Sequence, residues 1–152
     1  MIKNFANLKS RRGFTLVELL LSMALIGVVA FFSVPVYQSS QVKNDLDIAA
    51  LESAQSMRRA MMLSQGMDAD DSWGVKAQSG SLVVFKGASY GARDMAYDEV
   101  FDLPGSIVAS GVTEFVFSKF TGWPTPAGTL TLTSSNGDVK NIILNDFGMV
   151  EY

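Results

Sequence analysis

The chain contains neither cysteine nor histidine in its 152 residues. Without cysteine there are no disulfides, no thiol nucleophile and no zinc-finger spacing; without histidine there is no Ser–His–Asp or Cys–His site. The lack of cysteine does not oppose export. It requires that an exported domain be held together by packing alone. Basic residues are also scarce beyond the first thirteen positions. That head carries Lys3, Lys9, Arg11 and Arg12 and no acid, whereas the remainder sets eight Lys and Arg against fifteen Asp and Glu, a balance of −7. An acidic body offers no strong electrostatic footprint for nucleic acid. The length allows one modest globular domain plus one extended element.

What is present is concentrated near the N-terminus. Leu19–Tyr37, LLLSMALIGVVAFFSVPVY, holds no charge, and Phe14–Val17 extend the run upstream with Glu18 as the interruption. About 20 apolar residues are needed to cross a hydrocarbon core of roughly 30 Å. The run is longer than the apolar region of an ordinary signal peptide and has no clear A-x-A ending. It therefore reads as retained in the membrane, with the basic head cytoplasmic. A carboxylate deep in hydrocarbon costs about 2.5–3.5 kcal/mol on insertion scales, and less near the end of a span. Glu18 thus reads in two ways: as a functional intramembrane acid, or as an interfacial acid favoured by a helix N-terminus.

The stretch Arg11-Arg12-Gly13-Phe14-Thr15-Leu16-Val17-Glu18-Leu19-Leu20 resembles the type III signal of the type IV prepilin and pseudopilin family. The resemblance implies that a prepilin peptidase cuts between Gly13 and Phe14 on the cytoplasmic side and methylates the new amine of Phe14. Gly13, with no side chain, lets a peptidase approach its carbonyl closely. It also implies that Glu18 meets the N-terminal amine of a neighbouring subunit. Each group is costly alone in an apolar bundle, and pairing offsets part of that cost. The implied location is the bacterial cytoplasmic (inner) membrane, single-pass, with the C-terminal domain outside and an extracellular or periplasmic filament after assembly. The implied partners are other pilin or pseudopilin subunits, a membrane platform protein, a cytoplasmic ATPase and the lipid bilayer.

Apolar spacing continues beyond the run. Val42, Leu46, Ala49, Ala50, Ala54, Met57 and Met61 form one stripe of an amphipathic helix. Gly66 is a fitting stop, which predicts a helix over about 15–65. Pro35 lacks an N–H and crowds the preceding turn, so it predicts a kink, or else a tolerated membrane proline.

Beyond Gly66 the pattern turns to strands: 81–86, 107–109, 113–119, 129–133, 139–144 and 149–151, with Ser135-Asn136-Gly137-Asp138 as a hairpin turn. These predict an α+β, pilin-like fold in which a long N-terminal helix, transmembrane in its first half, packs on one C-terminal antiparallel sheet. Residues 66–80 and 87–106 read as surface loops. The expected organisation is a leader at 1–13, a transmembrane and assembly helix at 14–37, its amphipathic continuation at 38–65 and a β-rich head at 66–152. Trp123 reads either as packed on the sheet or as an exposed contact. The closing hairpin at 128–150 is similar to that of H-type minor pseudopilins and minor pilins.

No enzyme signature emerges. Gly-Ala-Ser-Tyr-Gly at 87–91 lacks the P-loop pattern, and no pair of acids is singled out for glycosidase chemistry. The clusters Asp68, Asp70, Asp71 and Asp98, Glu99, Asp102 lack EF-hand spacing and read as solvated loop acids. No cofactor or metal is expected. The leading expectation is a structural, minor subunit of a type IV pilus-like filament. Alternatives are a minor pseudopilin of type II secretion, a filament-tip module that binds DNA, a surface or cargo, or an anchored domain that never polymerises.

Overall fold

A computed structural model of the chain describes residues 13–152, apart from the side chains of residues 32–36. The first element is a single helix, α1 (Leu16–Gln65). It ends where expected: the Gly66 amide still bonds to Met62 O at 2.8 Å, and Met67 then enters the left-handed region at φ 55°. By internal contacts the chain falls into two units, 1–37 and 38–152. Among the described residues no helix is long and apolar enough to cross a membrane. The apolar run itself continues through 32–36. The expected kink at Pro35 concerns a side chain outside the described residues, as does the basic leader.

The second unit holds strands β1 (Trp73–Gln78), β2 (Ser81–Lys86), β3 (Asp94–Asp102), β4 (Ile107–Gly111), β5 (Glu114–Phe117), β6 (Pro124–Thr125), β7 (Gly128–Ser134), β8 (Val139–Leu144) and β9 (Val150–Glu151). They make two antiparallel sheets, not the one expected. The first runs in the order β3-β2-β1-β5-β6 and the second β4-β7-β8-β9. The corner at 111–113 passes the chain from one sheet to the other. Val112 N donates to Thr129 O of the second sheet, while Thr113 O accepts from Ala77 N of the first. Gly111 turns this corner at φ 77°, and a Cβ there would stand 2.6 Å from Thr129 O, so both the angle and the space require glycine.

Two strands lie in segments that read as loops, and both departures have a physical cause. The central strand β1 is buried on both faces, including Trp73, Gly74 and Val75, so its sequence does not alternate. β3 is an exposed edge strand carrying Asp94, Asp98, Glu99 and Asp102. Edge strands tolerate such charges because they discourage pairing with other chains, and the same charges hide the strand pattern.

The stripe predicted for the second half of α1 is the buried one. Leu46, Ala49, Ala50, Met57 and Ala60 join Val75, Leu82, Phe115 and Phe117 of one sheet and Ile107, Leu130, Leu132, Ile142 and Leu144 of the other in one core. The small residues Ala49, Ala50, Ser53, Ala54, Ser56 and Ala60 are nearly fully buried. Ser64 fastens the end of the helix: its hydroxyl donates to Phe117 O at 2.9 Å and accepts from Trp73 N at 2.8 Å. Ser53 returns its hydroxyl to Ala49 O at 2.7 Å, which satisfies it without a partner outside the helix.

The other face of the first sheet has a smaller core. Phe85 lies fully buried with its ring over Gly74 and edge-on to Tyr90. A Cβ at position 74 would lie 2.4 Å from Phe85 Cζ and 2.7 Å from Phe115 O. The expected outcome for Gly74→Ala is a loss of about 1–3 kcal/mol, typical of overpacking, seen as a lower midpoint with unchanged slope in urea unfolding. An unchanged midpoint would contradict this packing.

Candidate functional site

Gly13 and Phe14 stand just before α1 in non-helical backbone, with Phe14 81 % exposed. Among the described residues nothing lies within 4 Å of where a Cβ on Gly13 would be. Thr15 is the cap of α1. Its Oγ1 accepts from Glu18 N at 3.2 Å, and its carbonyl accepts from Leu19 N at 3.1 Å. A Thr followed three residues later by Glu is the spacing of a capping box, in which the hydroxyl satisfies one of the orphan donors of the first turn. Thr15 is the residue that sequence reasoning overlooked here, although the T-x-x-E pattern was there to be read.

Glu18 therefore occupies the third helical position, where the helix dipole favours an acid. Its side chain is exposed, and among the described residues its carboxylate has no partner. Ser22 Oγ donates to the Glu18 carbonyl at 2.7 Å, an intrahelical back-bond that hides the one hydroxyl of this turn. Around and beyond Glu18 the side chains of Leu16, Val17, Leu19, Leu20, Leu21, Met23, Leu25 and Ile26 are all exposed. A helix that is apolar on every face requires burial against something other than water. The segment thus combines a Gly–Phe bond, a capped helix start, a single acid and an all-round apolar surface.

The acidic clusters of the head have other employment. Asp70 pairs with Lys119, Asp98 with Arg93 at 2.8 Å, and Glu99 with Arg59 in a two-pronged contact at 2.6 and 2.5 Å. Asp71 accepts from Ser72 N at 2.8 Å. Among the described residues no three acids converge in a way that holds a metal ion. The Lys119 ammonium holds the Asp70 carboxyl below its ordinary range, first through the hydrogen bond and then through its charge. The hydrogen bond that Arg93 donates to Asp98 raises the guanidinium above its ordinary value.

Arg93 also lies over the Tyr90 ring at 3.7 Å, and Tyr90 accepts from Gln78 Nε2 at 2.7 Å. This network closes the 87–93 segment over Phe85. Trp123 takes the exposed alternative, edge-on to Phe147 at 6.4 Å. The buried tryptophan is Trp73, whose indole donates to Asp68 O at 3.0 Å.

Compared with known proteins, residues 8–34 match the family model of the prokaryotic N-terminal methylation motif. No curated protein and no solved structure matches the chain.

Arg59–Glu99 ties α1 to the edge strand β3, and the hydrogen bond from Arg59 lowers the Glu99 carboxyl below its ordinary 4.5. A carboxyl lowered in the folded state contributes stability above its unfolded value and loses it as pH falls through the folded value. Both side chains are partly exposed, 50 % and 35 %, so the contribution is at most about 1 kcal/mol. Glu99→Gln is expected to be less stable than the wild type at pH 7 by that order. The two should converge as pH falls below 4.5, read by urea unfolding across pH. A gap that persists in acid would show that the pair is not its source.

Proposed function

Because this chain carries the N-terminal signal of the type IV prepilin and pseudopilin family, we propose that it is a structural, minor subunit of a type IV pilus-like filament. The observation that carries the reading is the juxtaposition at 13–26. The Gly13–Phe14 bond, uncrowded among the described residues, directly precedes a capped helix that exposes apolar side chains on all faces and one acid, Glu18. In this reading residues 14–37 anchor the precursor in the cytoplasmic membrane, with the basic leader on the cytoplasmic side. A prepilin peptidase removes residues 1–13 and methylates the amine of Phe14.

Cleavage frees the helix start but leaves the anchor attached to the head. On extraction from lipid the apolar surface has to meet apolar surface, and the same segment of other subunits supplies it. Glu18 then pairs with the N-terminal amine of a neighbour. In an apolar bundle an unpaired carboxylate or ammonium is strongly disfavoured, so the two groups select the axial offset at which they meet. The Thr15 cap has a part in this. By taking the Glu18 amide it holds the first turn helical and leaves the carboxylate for the neighbour.

The head, whose core is complete in itself, is carried on the outside of the filament. No step in this function makes or breaks a bond in a substrate; the protein's work is packing.

Two outcomes test the reading. The native protein, analysed by mass spectrometry, is expected to begin at a singly methylated Phe14. Glu18→Ala is expected to be cut normally after Gly13 but to enter filaments several-fold less efficiently, measured by the sheared-filament fraction. A native chain that still begins at Met1, or full incorporation of the Glu18 variant, would overturn it.

A further inference from the structure

We propose that the head carries a self-docking face at the C-terminal end of α1, on which a second copy of this chain seats. Three pieces of chain form it: the last turns of α1, the turn between β5 and β6, and the turn into β9. They touch one another. A Cβ on Gly148 would lie 2.5 Å from Met61 Sδ and 3.3 Å from Gly122 O. Trp123 and Phe147, one from each turn, meet edge to face and are 55 % and 70 % exposed. Beside them runs a groove of about 500 Å³ in which Met61, Met62, Met149 and Val150 lie between Arg58 and Glu151. Tyr152 completes the face, with the Arg58 guanidinium 5.7 Å above its ring.

Composition and size both mark this as an interface. Tryptophan, tyrosine, phenylalanine, methionine and arginine are the residues enriched at interface centres. Met62, Trp123, Phe147, Met149 and Tyr152 are all more than half exposed. At the usual size of such side chains they present on the order of 600 Å² of mostly apolar surface. That is at the upper end of what an ordinary monomer leaves uncovered in one patch, about 300–600 Å². Two such faces together bury roughly 1,200 Å², the lower bound for a specific, stable association.

Charge selects the occupant. The groove has one cation, Arg58, and one anion, Glu151, at its wall. Among the described residues the Glu151 carboxylate has no partner, and Arg58 uses one donor in a long 3.3 Å bond to Val150 O. A two-fold axis through the face sets Arg58 of each copy against the partner's Glu151, twice, while apolar surface meets apolar surface. A uniformly basic or acidic partner would leave one of these groups opposed by like charge. The face lies wholly within 38–152 and does not depend on the filament reading.

The test uses the full chain in mild detergent, followed by size exclusion with light scattering over a range of concentrations. The wild type is expected to show a concentration-dependent dimer. Trp123→Asp and Met149→Glu should each weaken it at least about tenfold, as truncated interface centres do. These side chains are exposed, and an unchanged thermal midpoint confirms that folding is intact. Arg58→Glu and Glu151→Arg should each weaken the dimer, and the double exchange should restore it. A wild type that stays monomeric, a dimer indifferent to Trp123→Asp, or a double exchange weaker than either single change would each overturn the proposal. So would a dimer lost only when Leu20→Asp alters the N-terminal helix. Mass spectrometry of the N-terminus on the same samples reports on processing separately.

Discussion

The head depends on the packing of the second half of α1 against both sheets, through an inward stripe in which alanine and serine predominate. Ala49, Ala50, Ser53, Ala54, Ser56 and Ala60 are buried on it beside Leu46 and Met57, and Phe115, Phe117, Leu130, Leu132 and Ile142 of the sheets complete the same core. Such packing requires that buried hydroxyls be satisfied, since an unpaired one costs about 1–3 kcal/mol. Ser53 turns back to its own helix, and Ser64 bridges β1 and β5. Ser64 also orders the sheet, because Trp73 and Phe117, the two residues it joins, are register partners across β1 and β5.

Among the described residues the core of the head begins at Leu46. Over residues 16–26 the helix exposes many apolar side chains, and it carries one acid where a helix best tolerates it, at the third position behind a threonine cap. An acid in the middle of the same run would face a much larger desolvation cost.

The head's acidity is similarly organised. Asp70, Asp98 and Glu99 are each matched to a cation from a different part of the chain. Two of these pairs hold edges: Arg93–Asp98 closes the segment before β3, and Arg59–Glu99 joins that edge strand to α1. The acids on β3 therefore serve both to attach the strand and to discourage foreign strands from joining it. The apolar face at Trp123, Phe147 and Met149 lies elsewhere, at the turns that lead into the short edge strands β6 and β9.

The helix, its stop at Gly66 and its buried stripe were legible in the sequence because helical periodicity is local: each stripe position reports burial by its own polarity. β7 was legible by its alternation and β2 by its unbroken apolar run Leu82–Phe85, and Asn136-Gly137 marked the turn from β7 into β8. The N-terminal methylation motif was legible too, since it is a short linear pattern, although Thr15 was passed over as a cap. The division into two sheets was not legible, because it depends on which strands pair, and pairing joins residues far apart in the chain. β1 was hidden because Gly74, Lys76 and Gln78 break its apolar run, and β3 by its edge charges. The exposure of Trp123 was also decided in three dimensions. Its ring is held outside by the turn that closes from Ser118 N to Trp123 O and by Phe147, which arrives from the opposite sheet. Local chemistry thus determined what the chain's beginning is and where its helix runs, while tertiary pairing alone decided which surfaces of the head remain open.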